Sequence, residues 1–431
     1  MKFSRLVAAL AAIGVASAFA APSPGQIAIS SGASASKNNL KIALNKLCTD
    51  NAGVLTEFTD GSTNISTYTC ATAGLVGNTY GASSPVNFKN TGFAELRLNV
   101  NGGSFTAICL LNGFPAGTSC PTADLYVSPS TAGTGLVGTT AAPPAGSVIV
   151  GGLMDVEPGA FPFAVRQGLA GPAALTDAGF AQAFGVAASN DLYTAMFNDQ
   201  KTAGKLPSTC AVTDTGKPEC VPVIGKAQMA TIMFNNDFNA AYSNGANFLA
   251  PSQITTGTNL NYLRRVDTSG TQASAQNYFL GIVCGSAPLP VVAQGDGTLG
   301  NHGAITVFGL PTTGGVRTAL NAAGYSIGIM SGENNQASQS WKWLRVGGMQ
   351  MAENAQPDLV TTNTATALDG RYDYWFQSKI AQSGLSGVST FWTQVVAGFA
   401  SVPAGNTKGL FASGETLYTK SGNACQNPSS N

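Results

Sequence analysis

The chain has 431 residues, of which 44% are hydrophobic and only 10% are charged, with 21 basic against 21 acidic side chains. This length exceeds what one hydrophobic core usually supports, so we expect two lobes. Sparse charge without a basic tract argues against nucleic acid as a partner, because binding to the phosphate backbone depends on clustered Lys and Arg.

The N-terminus has the pattern of a secretory signal peptide. Lys2 and Arg5 precede an apolar run over residues 6–19, and small residues follow at the expected cleavage point near Ala20. We therefore expect a signal peptide over 1–20 and a periplasmic or secreted product. Removing Lys2 and Arg5 from the 21 basic residues leaves 19 against 21 acidic ones, so the mature chain is mildly acidic.

The eight cysteines predict disulfide bonds, because an even number in an exported chain is typical of a disulfide framework. Short separations favour three pairs, and the two remaining cysteines would form the fourth. The expected pairs are Cys48–Cys70, Cys109–Cys120, Cys210–Cys220 and Cys284–Cys425. A metal site is less favoured, since no Cys-x-x-Cys pair occurs and His302 is the only histidine. We expect no cofactor.

Strand-like and helix-like segments alternate along the chain, which predicts an α/β fold with largely parallel sheets. Ile27 and Ile29 precede a turn over 31–36 and a helix with Leu40 and Leu44 on its apolar face. Further strands are predicted at 96–100, 148–150, 184–188 and 261–266, and further helices around 192–197, 225–233 and 273–283. Ligands of open α/β sheets bind at the carboxyl ends of strands, so the turns that follow these strands could converge on one cleft.

The stretch over 113–146 is rich in Gly, Ala, Thr and Pro and separates two of these predicted strands. We interpret it as an inserted loop. A surface loop is favoured over a lid that covers the cleft.

The segment from Arg265 to Thr271 has the composition of an anion-binding loop. Arg265 supplies a planar charged group, Gly270 permits close backbone approach, and Ser269 and Thr271 add hydroxyl donors where a helix begins. A capped helix start beside a surface arginine is about as consistent with these residues taken alone.

A serine hydrolase is an alternative to consider, because residues 324–328 fit the pattern Gly-x-Ser-x-Gly. Those enzymes place the catalytic histidine after the serine, whereas His302 precedes Ser326. Residues 325–330 also read as a strand, which would bury Ser326. We therefore expect no enzyme activity and interpret His302 as a turn or surface residue.

Taken in order, the turns resemble the phosphate-binding proteins of bacterial ABC uptake systems, members of the type II periplasmic binding protein superfamily. The resemblance covers most of the mature chain and includes Gly32-Ala33-Ser34-Ala35, Gly103-Ser104, Asp155 and the loop 265–271. The segments 300–303 and 323–328 are also similar to later parts of that family. Thr268 departs from it, because the family prefers glycine there, and the insertion over 113–146 is a second departure.

The resemblance implies two α/β lobes with mixed, mainly parallel sheets, helices on both faces and a double crossover hinge between them. Lobe 1 would comprise 21–182 plus 332–431, and lobe 2 would comprise 183–331. The implied function is capture of a small oxyanion for uptake through an ABC transporter membrane complex, and the resemblance favours phosphate as that oxyanion. We expect a monomer. The alternative is an extracellular surface or matrix protein that keeps the fold without a transport role.

The resemblance also implies which residues bind the ligand: Ser34, Ala35, Ser104, Asp155, Arg265, Ser269, Gly270 and Thr271. Arg265 would neutralise charge, while hydroxyl groups and the helix starts after Ala35 and Gly270 would donate hydrogen bonds. Asp155 would accept a hydrogen bond from a protonated anion and so select hydrogenphosphate over sulfate.

Several residues near this set keep a second interpretation. Asp155 equally fits a turn or capping carboxylate when the resemblance is set aside, and Glu157 has the same ambiguity. Asp267 fits a capping role better than a ligand contact, and Arg264 could be a solvated neighbour of Arg265. The pair Trp341 and Trp343 favours core packing, with an exposed face for a carbohydrate or protein contact as the alternative.

Overall fold

The structure is a computed structural model that describes twelve stretches of the chain. They are residues 21–59, 64–75, 83–120, 126–128, 139–233, 245–281, 297–302, 304–347, 365–400, 410–412, 418–419 and 429–430. The expected signal peptide and the expected Cys284–Cys425 pair lie outside the described residues.

Helices and strands alternate over most of the described chain. The α-helices are α1 (Lys37–Thr49), α2 (Thr106–Leu111), α3 (Phe163–Arg166), α4 (Asn190–Thr202), α5 (Lys226–Met233), α6 (Gly270–Leu280), α7 (Thr313–Leu320), α8 (Ala365–Leu368) and α9 (Val388–Ala400). The strands are β1 (Ile27–Ser31), β2 (Val54–Thr59), β3 (Ile65–Ala71), β4 (Glu95–Asn99), β5 (Tyr126–Ser128), β6 (Thr139–Ala141), β7 (Val148–Met154), β8 (Ala174–Ser189), β9 (Val223–Ile224), β10 (Leu260–Arg265), β11 (Gly297–His302), β12 (Ile305–Leu310), β13 (Ser326–Ser331), β14 (Trp341–Trp343), β15 (Arg345–Val346), β16 (Trp375–Gln382), β17 (Leu410–Ala412), β18 (Tyr418–Thr419) and β19 (Ser429–Ser430).

One large mixed sheet runs through the molecule in the order β11-β12-β10-β13-β8-β16-β7-β1-β4-β3-β2, and β14 and β17 also pair with β8. Strand β1 pairs in parallel with β4 and β7, and β10 pairs in parallel with β12 and β13. Parallel pairing thus occupies the centre of each half, whereas β16 and the outer strands β2 and β11 pair antiparallel. The predicted α/β fold is confirmed.

The long strand β8 connects the halves of the sheet. Its first part, residues 174–183, pairs with β16, and residues 184–188 pair with β13. The chain therefore crosses from the β1 half to the β10 half along β8, and β16 lies between β8 and β7. The sequence predicts only residues 184–188 as a strand, because exposed residues and Gly179, with φ +77°, interrupt the apolar alternation before them. The lobe boundaries given above remain a prediction.

Helices cover both faces of the β1 half, because successive side chains of a strand point to opposite faces. Ala28 faces a core that contains Leu44 of α1 and Trp392 of α9. Ile27 and Ile29 face the other way, towards Leu110 of α2. This arrangement places the carboxyl ends of β1, β4 and β7 along one edge of the layer.

Strand β7 continues past the point where the sequence predicts a turn. Gly151 and Gly152 lie inside the strand, and neighbouring strands approach both of them closely. A Cβ atom on Gly151 would lie 2.9 Å from the carbonyl carbon of Ala381, and one on Gly152 would lie 2.7 Å from that of Ser31. The two glycines therefore permit close strand packing rather than a turn, and the strand delivers Asp155 directly beyond its last residue.

The tryptophans of β14 are core residues. Trp341 and Trp343 lie on one face of the strand, and both are buried. The alternative of an exposed aromatic face at this strand is therefore wrong. Trp392 is also buried, and its Nε1–H donates to the carbonyl of Val150 (2.8 Å).

The described part of the insertion over 113–146 packs on the sheet. Strands β5 and β6 form a two-stranded ribbon, and Tyr126 and Val127 of β5 are buried. The hydroxyl of Thr67 in β3 donates to the carbonyl of Val127. This ribbon covers β3 and its neighbours.

Three disulfides are formed, Cys48–Cys70, Cys109–Cys120 and Cys210–Cys220, as the sequence predicts. The first ties α1 to β3 beneath Gly53, where a Cβ atom would lie 2.8 Å from the Sγ of Cys48 and nearer still to that of Cys70. The backbone at Gly53 therefore passes directly over the bond.

Removing the Cys48–Cys70 bridge by a double substitution to alanine should destabilise the protein. Its cysteines are 22 residues apart, and closure of a loop of that size is worth about 3 kcal/mol in the loop-entropy description of disulfides. Denaturant unfolding measures the change. The matched control removes the Cys210–Cys220 bridge, whose cysteines are 10 residues apart, and should cost less. A change below about 1 kcal/mol for Cys48–Cys70 would contradict the expectation.

Candidate functional site

The site forms where the segments after β4, β7 and β10 meet. Gly103, which follows β4, packs so closely on the segment after β10 that a Cβ atom would lie 2.6 Å from the Cα of Ser269. The N–H of Phe105 donates to the carbonyl of Thr268 (2.9 Å), and the hydroxyl of Thr268 donates to the carbonyl of Gly102. These contacts join the two halves of the sheet. The sequence alone does not predict these contacts, because 166 positions separate Gly102 from Thr268.

Asp155 and Ser104 form the first part of the site. The hydroxyl of Ser104 donates to Oδ2 of Asp155 (2.9 Å), and the N–H of Asp155 donates back to Oγ of Ser104 (3.1 Å). Asp155 is 3% exposed, and its Oδ1 is buried without a hydrogen-bond partner among the described residues. Burial raises the pKa of Asp155 to about 6, although the hydrogen bond from Ser104 and the charge of Arg265 both act to lower it.

The N-terminus of α6 lies directly against this pair. A Cβ atom on Gly270 would lie 2.7 Å from the Cβ of Asp155 and closer still to Oγ of Ser104, so only glycine fits. Ser269 precedes the helix in extended conformation, and its side chain makes no capping hydrogen bond. The first N–H groups of a helix have no partner within it, and the positive end of the helix dipole lies there. Ser269 and Thr271 are both buried at this helix start.

Arg265 brings the positive charge. Its side chain is held by Nε–H to the carbonyl of Leu310 (3.1 Å), Nη2–H to the carbonyl of Pro311 (2.8 Å) and Nη1–H to the hydroxyl of Thr313 (2.8 Å). These bonds use three of the five N–H groups of the guanidinium. Arg265 is 2% exposed, and burial lowers its pKa to about 10, while the charges of Asp155 and Glu333 act in the opposite direction. It is therefore charged at neutral pH.

The neighbouring arginine is buried as well, contrary to the interpretation of Arg264 as a solvated residue. Arg264 forms an ion pair with Asp267, and its Nε–H donates to the carbonyl of Arg265 (3.0 Å). Asp267 thus serves the loop rather than a ligand. Its carboxylate balances the charge of Arg264, which leaves Arg265 as the cation that acts on Asp155.

Ser34 and Ala35 lie in the turn that follows β1. The turn is joined to the site through Ala33, whose N–H donates to the carbonyl of Leu153 (2.8 Å), two residues before Asp155. Ala35 is buried and Ser34 is partly buried. Helix α1 begins at Lys37, so Ser36 intervenes between Ala35 and the helix start expected directly after it. Glu157, the second candidate carboxylate, is partly buried beside a 3₁₀ turn at Pro158–Ala160.

Glu333 belongs to the same cluster and is absent from the set that the sequence predicts. Burial raises its pKa to about 7; the charge of Asp155 adds to this rise, whereas Arg265 opposes it. Glu333 follows β13, which pairs in parallel with β10, so it lies at the same end of the sheet as Arg265. A carboxylate directly after a predicted strand is the signal that could have revealed it.

The serine of the hydrolase-like pattern lies in a strand, as the sequence predicts. Ser326 is the first residue of β13 and is buried, and its hydroxyl accepts from the side-chain amide of Asn261 (3.2 Å).

Within the described ranges, no group of three or more His, Cys, Asp or Glu residues could hold a metal ion. No helix among the described residues is long and apolar enough to cross a membrane.

Comparison with family models and with curated proteins finds no match to this sequence. Two solved structures are similar in part. A candidate phosphate ABC transporter substrate-binding protein with bound phosphate from Clostridium perfringens has a TM-score of 0.42 and 9% identity, over 86% of this chain and 92% of that one. A candidate phosphate-binding protein from Planctomyces limnophilus has a TM-score of 0.29 and 6% identity, over 87% of this chain and 99% of that one. Both are remote, and the interpretation of the site rests on the contacts described above.

Proposed function

We propose that this protein is an exported, non-enzymatic solute-binding protein that captures a small oxyanion between its two halves. Phosphate is the oxyanion that we favour. The observation that carries the proposal is the buried meeting of three groups: the Arg265 guanidinium, the uncapped start of α6 at Gly270, and the Asp155 carboxyl. The first two attract an anion, and the third accepts a hydrogen bond from an O–H group of that anion. Three disulfides support export.

The proposed ligand set comprises Ser34, Ala35, Ser104, Asp155, Arg265, Ser269, Gly270 and Thr271. Arg265 has N–H groups to spare, and the N–H groups of the first turn of α6 have no partners within the helix. An oxyanion between them would receive hydrogen bonds from both. Because all of these residues except Ser34 are buried, release requires the contacts between Gly103 and Ser269 to open. We propose that the loaded protein acts as a monomer and delivers its ligand to an ABC transporter membrane complex for uptake.

Selectivity between phosphate and sulfate follows from the open acceptor oxygen of Asp155. Its Oδ1 is a buried acceptor without a partner among the described residues, and an anion that carries a proton can fill it. Sulfate carries no proton at neutral pH and would place an oxygen against this acceptor, which is repulsive. Phosphate and arsenate carry the required proton.

Calorimetric titration of the ligand-stripped protein tests this function. We expect phosphate and arsenate to bind and sulfate to be rejected. The variant Asp155→Asn should lose about 2–5 kcal/mol of phosphate affinity and most of the discrimination against sulfate, because it removes the charged acceptor of a buried contact. The matched control is Asp369→Asn, whose carboxylate pairs with Arg371 at an exposed position. No response to any oxyanion would reject the proposal and favour a surface or matrix protein with this fold.

A further inference from the structure

The carboxyl group of Glu333 is fixed by one of its oxygens and open at the other. Oε1 accepts from the hydroxyl of Ser331 (2.7 Å) and from the side-chain amide of Asn334 (3.2 Å). Oε2 is buried and has no hydrogen-bond partner among the described residues. A buried polar oxygen without a partner is costly, so its retention needs a reason.

The carboxyl group of Asp155 likewise has one bonded oxygen and one open oxygen. Ser104 occupies its Oδ2, and Oδ1 is buried without a partner among the described residues. The charges of Asp155 and Glu333 act on each other, and both act on Arg265. Two open acceptor oxygens and one guanidinium therefore belong to a single electrostatic cluster.

The charges of this cluster do not favour a fully ionised ligand. With both carboxyls ionised, two negative charges oppose the one positive charge of Arg265, since Arg264 is already paired with Asp267. An anion would then be repelled unless protons are shared between it and the carboxyls. Each open carboxyl oxygen can take one O–H···O contact with the ligand.

We propose that Glu333 is a second proton-sharing contact for the bound oxyanion, in addition to Asp155, so that the site holds a doubly protonated, singly charged anion. This rests on the proposed function. Dihydrogenphosphate supplies both O–H groups and leaves one net negative charge for Arg265 and the start of α6. A ligand with one acidic hydrogen satisfies only one of the two carboxyls.

With Glu333 in this role, phosphate binding is coupled to proton uptake. Burial raises the pKa of Glu333 to about 7 in the ligand-free protein, with Asp155 raising it further and Arg265 opposing. In alkaline solution Glu333 is ionised and the ligand is hydrogenphosphate, which brings one proton, enough for Asp155 alone. The second contact then takes one proton from solvent. The affinity for phosphate is at its maximum below neutral pH and falls about tenfold per pH unit above it.

Phosphate titration of the full protein at several pH values between about 7.5 and about 9 tests this coupling. Repeating each titration in two buffers of different ionisation enthalpy measures proton uptake directly. We expect about one proton per phosphate at alkaline pH. In Glu333→Gln both the uptake and the decline of affinity should vanish, because the amide does not titrate. Glu219→Gln, at an exposed position, should behave like the unmodified protein.

The outcomes separate the two proposals. Affinity that is flat over this pH range, without proton uptake, overturns the role of Glu333 while leaving oxyanion capture intact. The same holds if Glu333→Gln keeps the full pH dependence. Absence of binding at every pH rejects the proposed function itself. If Glu333→Gln does not fold, the two-buffer measurement on the unmodified protein still decides.

Discussion

Replacing Arg265 with alanine is expected to weaken phosphate binding strongly. The substitution removes the positive charge of the cluster and leaves Asp155 and Glu333 opposing any anion that enters. Loss of a desolvated charged partner costs about 2–5 kcal/mol, which is a fall in affinity of roughly 30-fold to several thousand-fold. Calorimetric titration with phosphate measures it.

The same substitution should lower stability, because Arg265 holds the segment after β12 through the carbonyls of Leu310 and Pro311. Thermal unfolding is therefore measured beside the titration. A second variant, Arg265→Lys, distinguishes the contribution of the positive charge from that of the guanidinium geometry. Lysine keeps the charge and loses the planar fork, so it should recover part of the affinity. The matched control is Arg371→Ala at an exposed position. Full phosphate affinity in Arg265→Ala, with the fold intact, would remove Arg265 from the site.

Replacing Gly270 with alanine is expected to weaken phosphate binding by crowding Asp155 and Ser104. Alanine in a helix is normally better than glycine by about 1 kcal/mol, so a free helix would gain stability. Here the new Cβ would lie 2.7 Å from the Cβ of Asp155 and closer to Oγ of Ser104. Helix α6 must then move away from the carboxyl. Overpacking of this kind costs about 1–3 kcal/mol, and phosphate affinity should fall about 5-fold to 150-fold.

The control for this variant is Gly225→Ala, just before α5. A Cβ atom there would lie 3.5 Å from Oε1 of Gln228, which is ordinary contact, and its backbone needs no left-handed conformation. Titration and thermal unfolding of both variants should separate them clearly. Equal phosphate affinity in Gly270→Ala and the unmodified protein would show that the start of α6 does not contact the ligand.

Local pattern was enough to predict many of the elements. The apolar stripe of α1, the strand before Arg265 and the helix after it depend on residues within one or two turns of each other. The three observed disulfides join cysteines 10–22 residues apart, which is why short separation predicts them. Arg265, Ser269 and Gly270 could be proposed as site residues for the same reason, since their loop is continuous in sequence.

Where local pattern failed, the cause was contact with a distant strand. Gly151 and Gly152 look like a turn until β16 and β1 are placed beside them. Arg264 looks like a surface residue until Asp267 folds back on it within the buried loop. The full length of β8 depends on its pairing with both β16 and β13.

By itself, the sequence determined the α/β pattern, the disulfide pairs of short span and the composition of the arginine loop, because these depend on nearby residues. Tertiary structure alone decided that Glu333 joins Asp155 and Arg265 and that the open oxygens of the two carboxyls are buried. Desolvation and charge coupling act through space, and residues 155, 265 and 333 are far apart along the chain. Their protonation, and with it the form of anion that the site would take, is a property of the folded sheet.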